Sequence, residues 1–169
     1  TLSSSSAASD VYKRQMEARA ANSEGKGSVT LNELVRQCLR MRPDRIVLGE
    51  VRGAELRDLL MALNTGHEGG CGTVHANGVA EVPARLEALA ALGGLSREAA
   101  SAQITAALHT VIHVERGERG RRVAEIGVFV DVEGRAVVLP AVRWDADGVM
   151  TLGDGAGRLS QLLGMEVAR

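Results

Sequence analysis

Apolar residues in "TLNELVRQCLRM", Thr30 to Met41, fall at Leu31, Leu34, Val35, Cys38 and Leu39, the spacing of a helix with one buried face. Thr30 followed three residues later by Glu33 is a capping box, so the helix is expected to begin there. Pro43 stops it, and "RIVLGE", Arg45 to Glu50, reads as a short strand buried on both faces. Leu56, Leu59, Leu60 and Leu63 predict a second helix in "AELRDLLMAL", closed by Gly66. "CGTVHAN", Cys71 to Asn77, is a second short strand. "VPARLEALAAL", with Pro83 in its first turn, and "SREAASAQITAALHT", with Ser96 as N-cap, are two more helices, joined by Gly93 and Gly94.

From Val111 onward the period falls to two, with turn signals at "GERG", "VEGR" and "DADG". A run of β-strands is predicted, with a short closing helix in "GRLSQLLGM". Strands alternating with helices and then a meander predict an α/β sheet carrying an antiparallel β extension.

Composition narrows the reading. The chain has 169 residues, 45% hydrophobic and 24% charged, enough for one domain with a real core. A net charge of -1 and an aromatic content of 2% leave no basic footprint and few stacking platforms, so a nucleic-acid partner is not expected. Cys38 and Cys71 stand far apart in unlike contexts, which suits a reducing compartment. Cys38 reads as a small core residue, and Cys71 as a filler beside the sheet. No apolar run approaches the roughly 20 residues that span a bilayer. The expected location is the cytoplasm, with membrane association only through partners. "TLSSSSAASDVYKRQ", residues 1–15, is serine-rich and aperiodic, and "DVYKRQ" matches what one frame of a common sequencing-library transposon adaptor encodes. The expectation is a leader outside the fold, with the natural protein continuing upstream.

The candidate chemistry begins at Glu50, directly beyond the apolar run Ile46-Val47-Leu48 and Gly49. In open α/β sheets ligands bind outside the carboxyl ends of the strands. A carboxylate there can polarise a water or hold Mg²⁺ through its hydration shell, as nucleotide hydrolysis requires. Alone the signal is weak, since a solvated Glu at a strand end explains it as well. "HEGGCGTVH" offers His67, Glu68, Cys71 and His75, all zinc-ligand types, but residue 71 breaks the H-E-x-x-H spacing and the glycines oppose a helix. His109 and His113 read as core or surface histidines.

"RMRPDRIVLGEVRG" followed by "NTGHEGGCGTVHAN" closely resembles the Walker B segment and histidine box of the secretion-ATPase superfamily. The likeness is to the TadA/CpaF-type ATPases of tight-adherence pili and related conjugal-transfer-associated systems. It extends back through "EARAANSEGKGSVTLNELVRQCLRMRPDR" and forward through "ARLEALAALGGL" to "VIHVERGERGRRVAEIGVF", covering Met16 to Val130. The resemblance implies part of a RecA-like P-loop NTPase core at residues 16–115 and a β-meander extension with a short terminal helix at 116–169. It also implies ATP and Mg²⁺ as ligands, a homo-hexamer, and partners in an inner-membrane secretion or pilus platform.

Carried over residue by residue, it makes Glu50 the catalytic carboxylate that orients the attacking water. His75, and with it His67, would lie near the γ-phosphate and report it to the neighbouring subunit. Gly49, Thr65 and Gly66 would line the nucleotide site, and Glu68, Gly69 and Thr73 would shape the loop. Arg52 and Arg19 would compensate phosphate charge across a subunit boundary, although a surface salt bridge explains either arginine equally well.

One part of such a site is absent. The phosphate-cradling loop G-x-x-x-x-G-K-[ST] does not occur, and "SEGKGSVT", Ser23 to Thr30, has the wrong spacing. The expectation is therefore the carboxyl-terminal part of a longer ATPase. Two other classes compete with it: a non-catalytic module for ring assembly, and a nucleic-acid motor of the same superfamily.

Overall fold

The computed structural model describes residues 12–67, 69–117 and 120–167. Residues 1–11 of the expected leader, Glu68 of the expected histidine box and the tip of the "GERG" turn lie outside the described residues.

The first helix, α1 (Leu31–Arg40), starts where the sequence says it should. The Thr30 hydroxyl accepts the Glu33 N–H at 3.3 Å, and the Glu33 carboxylate accepts the Thr30 N–H at 2.7 Å, so two otherwise unpaired donors are satisfied reciprocally. The helix ends at Arg40, and Arg42 takes φ of 50° immediately before Pro43. After it come β1 (Val47–Leu48), α2 (Glu55–Leu63) and β2 (Cys71–Gly72), then a single 3₁₀ turn, Val79–Glu81. Helices α3 (Val82–Leu92) and α4 (Arg97–Ala107) follow, with Pro83 in the first turn of one and Ser96 capping the other.

The meander is β3 (Thr110–Gly117), β4 (Gly120–Val132), β5 (Arg135–Trp144) and β6 (Met150–Leu152), antiparallel throughout in the order β3-β4-β5-β6. Its turns obey local chemistry. Glu133 and Gly134 both have positive φ, 52° and 77°, which two-residue hairpins need if their twist is to match the strands. At "DADG" the Asp145 carboxylate accepts the N–H groups of Asp147 and Val149 at 2.9 and 2.8 Å. A last helix, α5 (Ala156–Leu163), closes the described fold, with left-handed Gly164 just past its end.

Two expectations need correction. "RIVLGE" is not buried on both faces: Ile46 and Leu48 are buried, but Val47 is 72% exposed. Cys71 is its register partner and is exposed too, so it fills no space beside the sheet. Successive side chains point to opposite faces of a strand, and among the described residues nothing covers the face that Val47 and Cys71 share.

The main core crosses the expected boundary between residues 115 and 116. Leu56 and Leu60 of α2, Leu86 and Leu89 of α3 and Ile104 of α4 form one apolar cluster with Phe129, Ala136 and Val138 of the meander. Ser101 ties the parts together: its buried hydroxyl accepts the Ala136 N–H at 2.9 Å and donates to Glu87 at 2.9 Å. A second cluster, Val128, Ala141, Val142 and Leu159, packs α5 on the sheet. Among the described residues no helix is long and apolar enough to cross a membrane.

Candidate functional site

β1 and β2 pair in parallel, Val47 with Cys71 and Leu48 with Gly72. Parallel pairing brings both carboxyl ends to one edge. The Val51 N–H donates to the Thr73 carbonyl at 2.8 Å, and the Val51 side chain is buried, so the chain just past Glu50 is pinned to the second strand. Glu50 leaves the first strand end and His75 the second, and they meet: His75 Nε2 lies 3.1 Å from Glu50 Oε1. The other carboxylate oxygen, Oε2, accepts from the Arg52 guanidinium at 2.5 Å.

The three groups are unequally covered. The Glu50 side chain is 25% exposed, whereas Arg52 and His75 are 77% and 80% exposed. The Arg52 guanidinium is the main reason that the Glu50 carboxyl sits below the usual carboxylate range; burial opposes the shift and His75 adds to it. Reciprocally, Glu50 raises Arg52. A carboxylate held this way is a weak proton acceptor, which suits orienting a water better than deprotonating it outright.

The sign of the pH effect follows. A group whose pKa is depressed on folding stabilises the native state above its unfolded pKa, and that contribution is lost as pH falls through the folded value. Arg52→Ala removes the main cause, so the Glu50 midpoint should move up toward the usual range. A carboxyl-carbon NMR titration checks it; an unchanged midpoint means that the ion pair does not form in solution.

Glu55 is a contributor that the sequence reading missed. Its buried carboxylate accepts the backbone N–H of Arg52 at 2.5 Å and that of Gly53 at 2.8 Å. A signal was present: α2 opens behind Ala54, which offers no capping side chain, and an acid stands at its first position.

The other expected residues lie elsewhere. The Thr65 hydroxyl donates to the Met61 carbonyl at 2.8 Å in the last turn of α2, and Gly66 takes φ of +94° just beyond. The loop then reaches the amino end of the strand pair, where the Cys71 N–H donates to the Ile46 carbonyl at 3.0 Å. A Cβ on Gly70 would stand 2.8 Å from that carbonyl oxygen, so only glycine passes so close. Thr65, Gly66 and His67 therefore sit toward the edge opposite Glu50 and His75. Among the described residues the buried Nδ1 of His67 has no partner. The Nε of Arg19 donates to the Gly27 carbonyl at 2.8 Å within a hairpin closed by the Arg19–Val29 bridge, and among the described residues no hydrogen bond joins it to Glu50.

Glu50, Arg52 and His75 offer one carboxylate, one guanidinium and one imidazole. Such a donor set fits a divalent cation held through water rather than by direct ligation. Among the described residues no three His, Cys, Asp or Glu side chains converge on a metal position. Beside His75 an open hollow of about 420 Å³ is lined by Ala76, Asn77, Glu81 and Arg85.

The arrangement has relatives. Residues 8–148 match the family described as type II/IV secretion system protein, a longer stretch than Met16 to Val130. A Mycobacterium tuberculosis protein named for conjugal transfer is 59% identical over 147 residues, 86% of this chain and 41% of that protein. The conjugal transfer protein TrbB of Rhizobium radiobacter is 38% identical over 107 residues, 63% of this chain and 32% of the relative. Among solved structures, the VirB11 ATPase of the Brucella suis type IV secretion system, crystallised with sulphate, superposes with a TM-score of 0.55 at 31% identity. That match covers 59% of this chain and 32% of VirB11, which supports a P-loop-ATPase-like fold. The chain spans about two fifths of the length of the mycobacterial relative. A family match over most of the chain leads to one conclusion: the chain belongs to the type II/IV secretion system protein family.

Proposed function

We propose that this chain is the carboxyl-terminal part of a RecA-like, hexameric ATPase that turns ATP hydrolysis into subunit motion for pilus assembly, secretion or conjugal transfer. It works in the cytoplasm, against an inner-membrane platform of partner proteins. The observation that carries the reading is the meeting of Glu50 and His75 at 3.1 Å, on the shared carboxyl edge of two parallel strands. The Brucella suis neighbour supports it, being the ATPase of a type IV secretion system.

In this reading Glu50, its charge kept by Arg52, orients the attacking water. His75, in contact with that carboxylate and largely exposed, relays the state of the γ-phosphate toward a neighbouring subunit. Mg²⁺, when bound, neutralises phosphate charge, and Glu50 is the residue that would hold it through water. Thr65, Gly66 and His67 enter only if the nucleotide or a neighbouring subunit reaches the opposite edge, and Arg19 only across a subunit boundary. Residues 16–115 are the hydrolytic part, and strands β4 and β5 brace it through the shared core.

The phosphate cradle is absent from this sequence, so the chain by itself should bind Mg-ATP weakly or not at all. Isothermal titration is the check. Micromolar affinity would mean that the chain holds a phosphate site of its own and is no partial ATPase.

A further inference from the structure

The ATPase reading gives Glu50 a role but does not say what keeps the turn beyond it in place. The strand ends at Leu48, and by Glu55 a helix has begun, so Glu50 and Arg52 stand on a connection without ladder hydrogen bonds of its own. Val51 anchors its middle, through its buried side chain and its N–H on Thr73. The Gly53 carbonyl accepts the Leu56 N–H at 3.3 Å, and Glu55 holds the N–H side of the turn. An acid in the first turn of a helix can accept N–H groups that lie ahead of it, as the Glu33 carboxylate accepts that of Thr30 before α1. At α2 the Glu55 Oε1 accepts two such groups, the N–H of Arg52, three residues back as in that capping box, and the N–H of Gly53. Glu55 is 6% exposed, and a Cβ on Gly53 would come within 3.2 Å of its Oε2, so side chain and turn fit closely. Arg52 is thus held at two points: its backbone by Glu55, and its guanidinium on Glu50.

We propose that Glu55 is a positioning residue for the hydrolytic site, fixing the Glu50-to-Gly53 turn through two backbone hydrogen bonds so that Arg52 stays on the Glu50 carboxylate. The proposal rests on the ATPase reading for its catalytic consequence, but not for its geometry. Buried, charge-assisted hydrogen bonds to backbone N–H groups are among the stronger kinds, and losing them frees the turn. Glu55→Gln keeps the length of the side chain and an accepting oxygen; Glu55→Ala keeps neither.

The test has two arms. In the ¹⁵N-labelled chain, amide exchange at Arg52 and Gly53 should speed up in Glu55→Ala by about tenfold or more and stay near the parent rate in Glu55→Gln. Unchanged exchange in α4 shows that the fold is intact. In the full-length ATPase, kcat should fall on the order of 10- to 10²-fold in Glu55→Ala with KM for ATP nearly constant, the usual mark of a misplaced catalytic group, and Glu55→Gln should recover most of it. If Glu55→Ala disturbs α4, Glu55→Asp takes its place, keeping the charge at the helix start but falling one methylene short of the turn, and should show the same losses. The proposal fails if Arg52 and Gly53 stay protected without the Glu55 carboxylate, if kcat does not move, or if Glu55→Gln loses as much as Glu55→Ala. Hydrolysis by Glu50→Gln at the parent rate would instead sink the ATPase reading, while the exchange arm would still decide whether Glu55 holds the turn.

Discussion

Glu50→Gln in the full-length protein is expected to lose on the order of 10² or more in kcat while still binding ATP, the range seen when one positioned catalytic group is removed. The substitution keeps the size of the side chain and an accepting oxygen, and removes the charge. In the structure that carboxylate contacts both Arg52 and His75, so the variant loses the charge that the proposal assigns to orienting water and loosens its neighbours together. On the proposed ATPase reading nucleotide affinity should persist, because Glu50 is assigned to the water and not to holding the phosphates. His75→Ala should separate the other half of the site: Glu50 keeps its Arg52 partner, and the loss should fall on the coupling of phosphate state to subunit motion. Single-turnover hydrolysis and nucleotide affinity, measured on both variants, make the comparison. Parent-rate hydrolysis by Glu50→Gln would reduce Glu50 to a solvated strand end.

Leu60→Ala should be the most damaging conservative change in the core. Leu60 is fully buried, at 0% exposure, in the α2 face that packs with the Ile104 and Phe129 cluster. Truncating such a leucine costs about 2 to 5 kcal/mol, from lost transfer energy and from the cavity left behind. Against a total stability of about 5 to 15 kcal/mol, that is a large share. At about 2 to 4 °C per kcal/mol for a chain of this size, the thermal midpoint should drop by about 4 to 20 °C. Its neighbour Met61 is 50% exposed, and Met61→Ala should stay within about 0.5 kcal/mol of the parent. Urea and thermal unfolding of the two variants check the contrast. Equal shifts would mean that α2 does not face this core.

The sequence by itself determined the local features. The Thr30–Glu33 capping box, the Ser96 cap, Pro83 in a first turn and the "VEGR" and "DADG" turns depend on interactions only a few residues long, so a linear reading finds them. It also placed Glu50 at a strand end, and two long segments that resemble a Walker B strand and a histidine box pointed to the family that the comparisons show. Tertiary structure decided the rest. Whether Val47 and Cys71 are covered depends on what lies across a sheet face, and alternation alone does not reveal it. That the meander shares its core with α3 and α4 follows from Ser101, Phe129 and Val138 packing across a large gap in sequence. The site divides for the same reason. His67 and His75 belong to one motif, yet a parallel strand runs between them, so one is carried toward the amino edge and the other to Glu50 at the carboxyl edge. Glu55 escaped the linear reading because Arg52, three residues before it, carries no capping hydroxyl to mark the box, and that its buried carboxylate serves the Arg52 and Gly53 amides together is decided by packing.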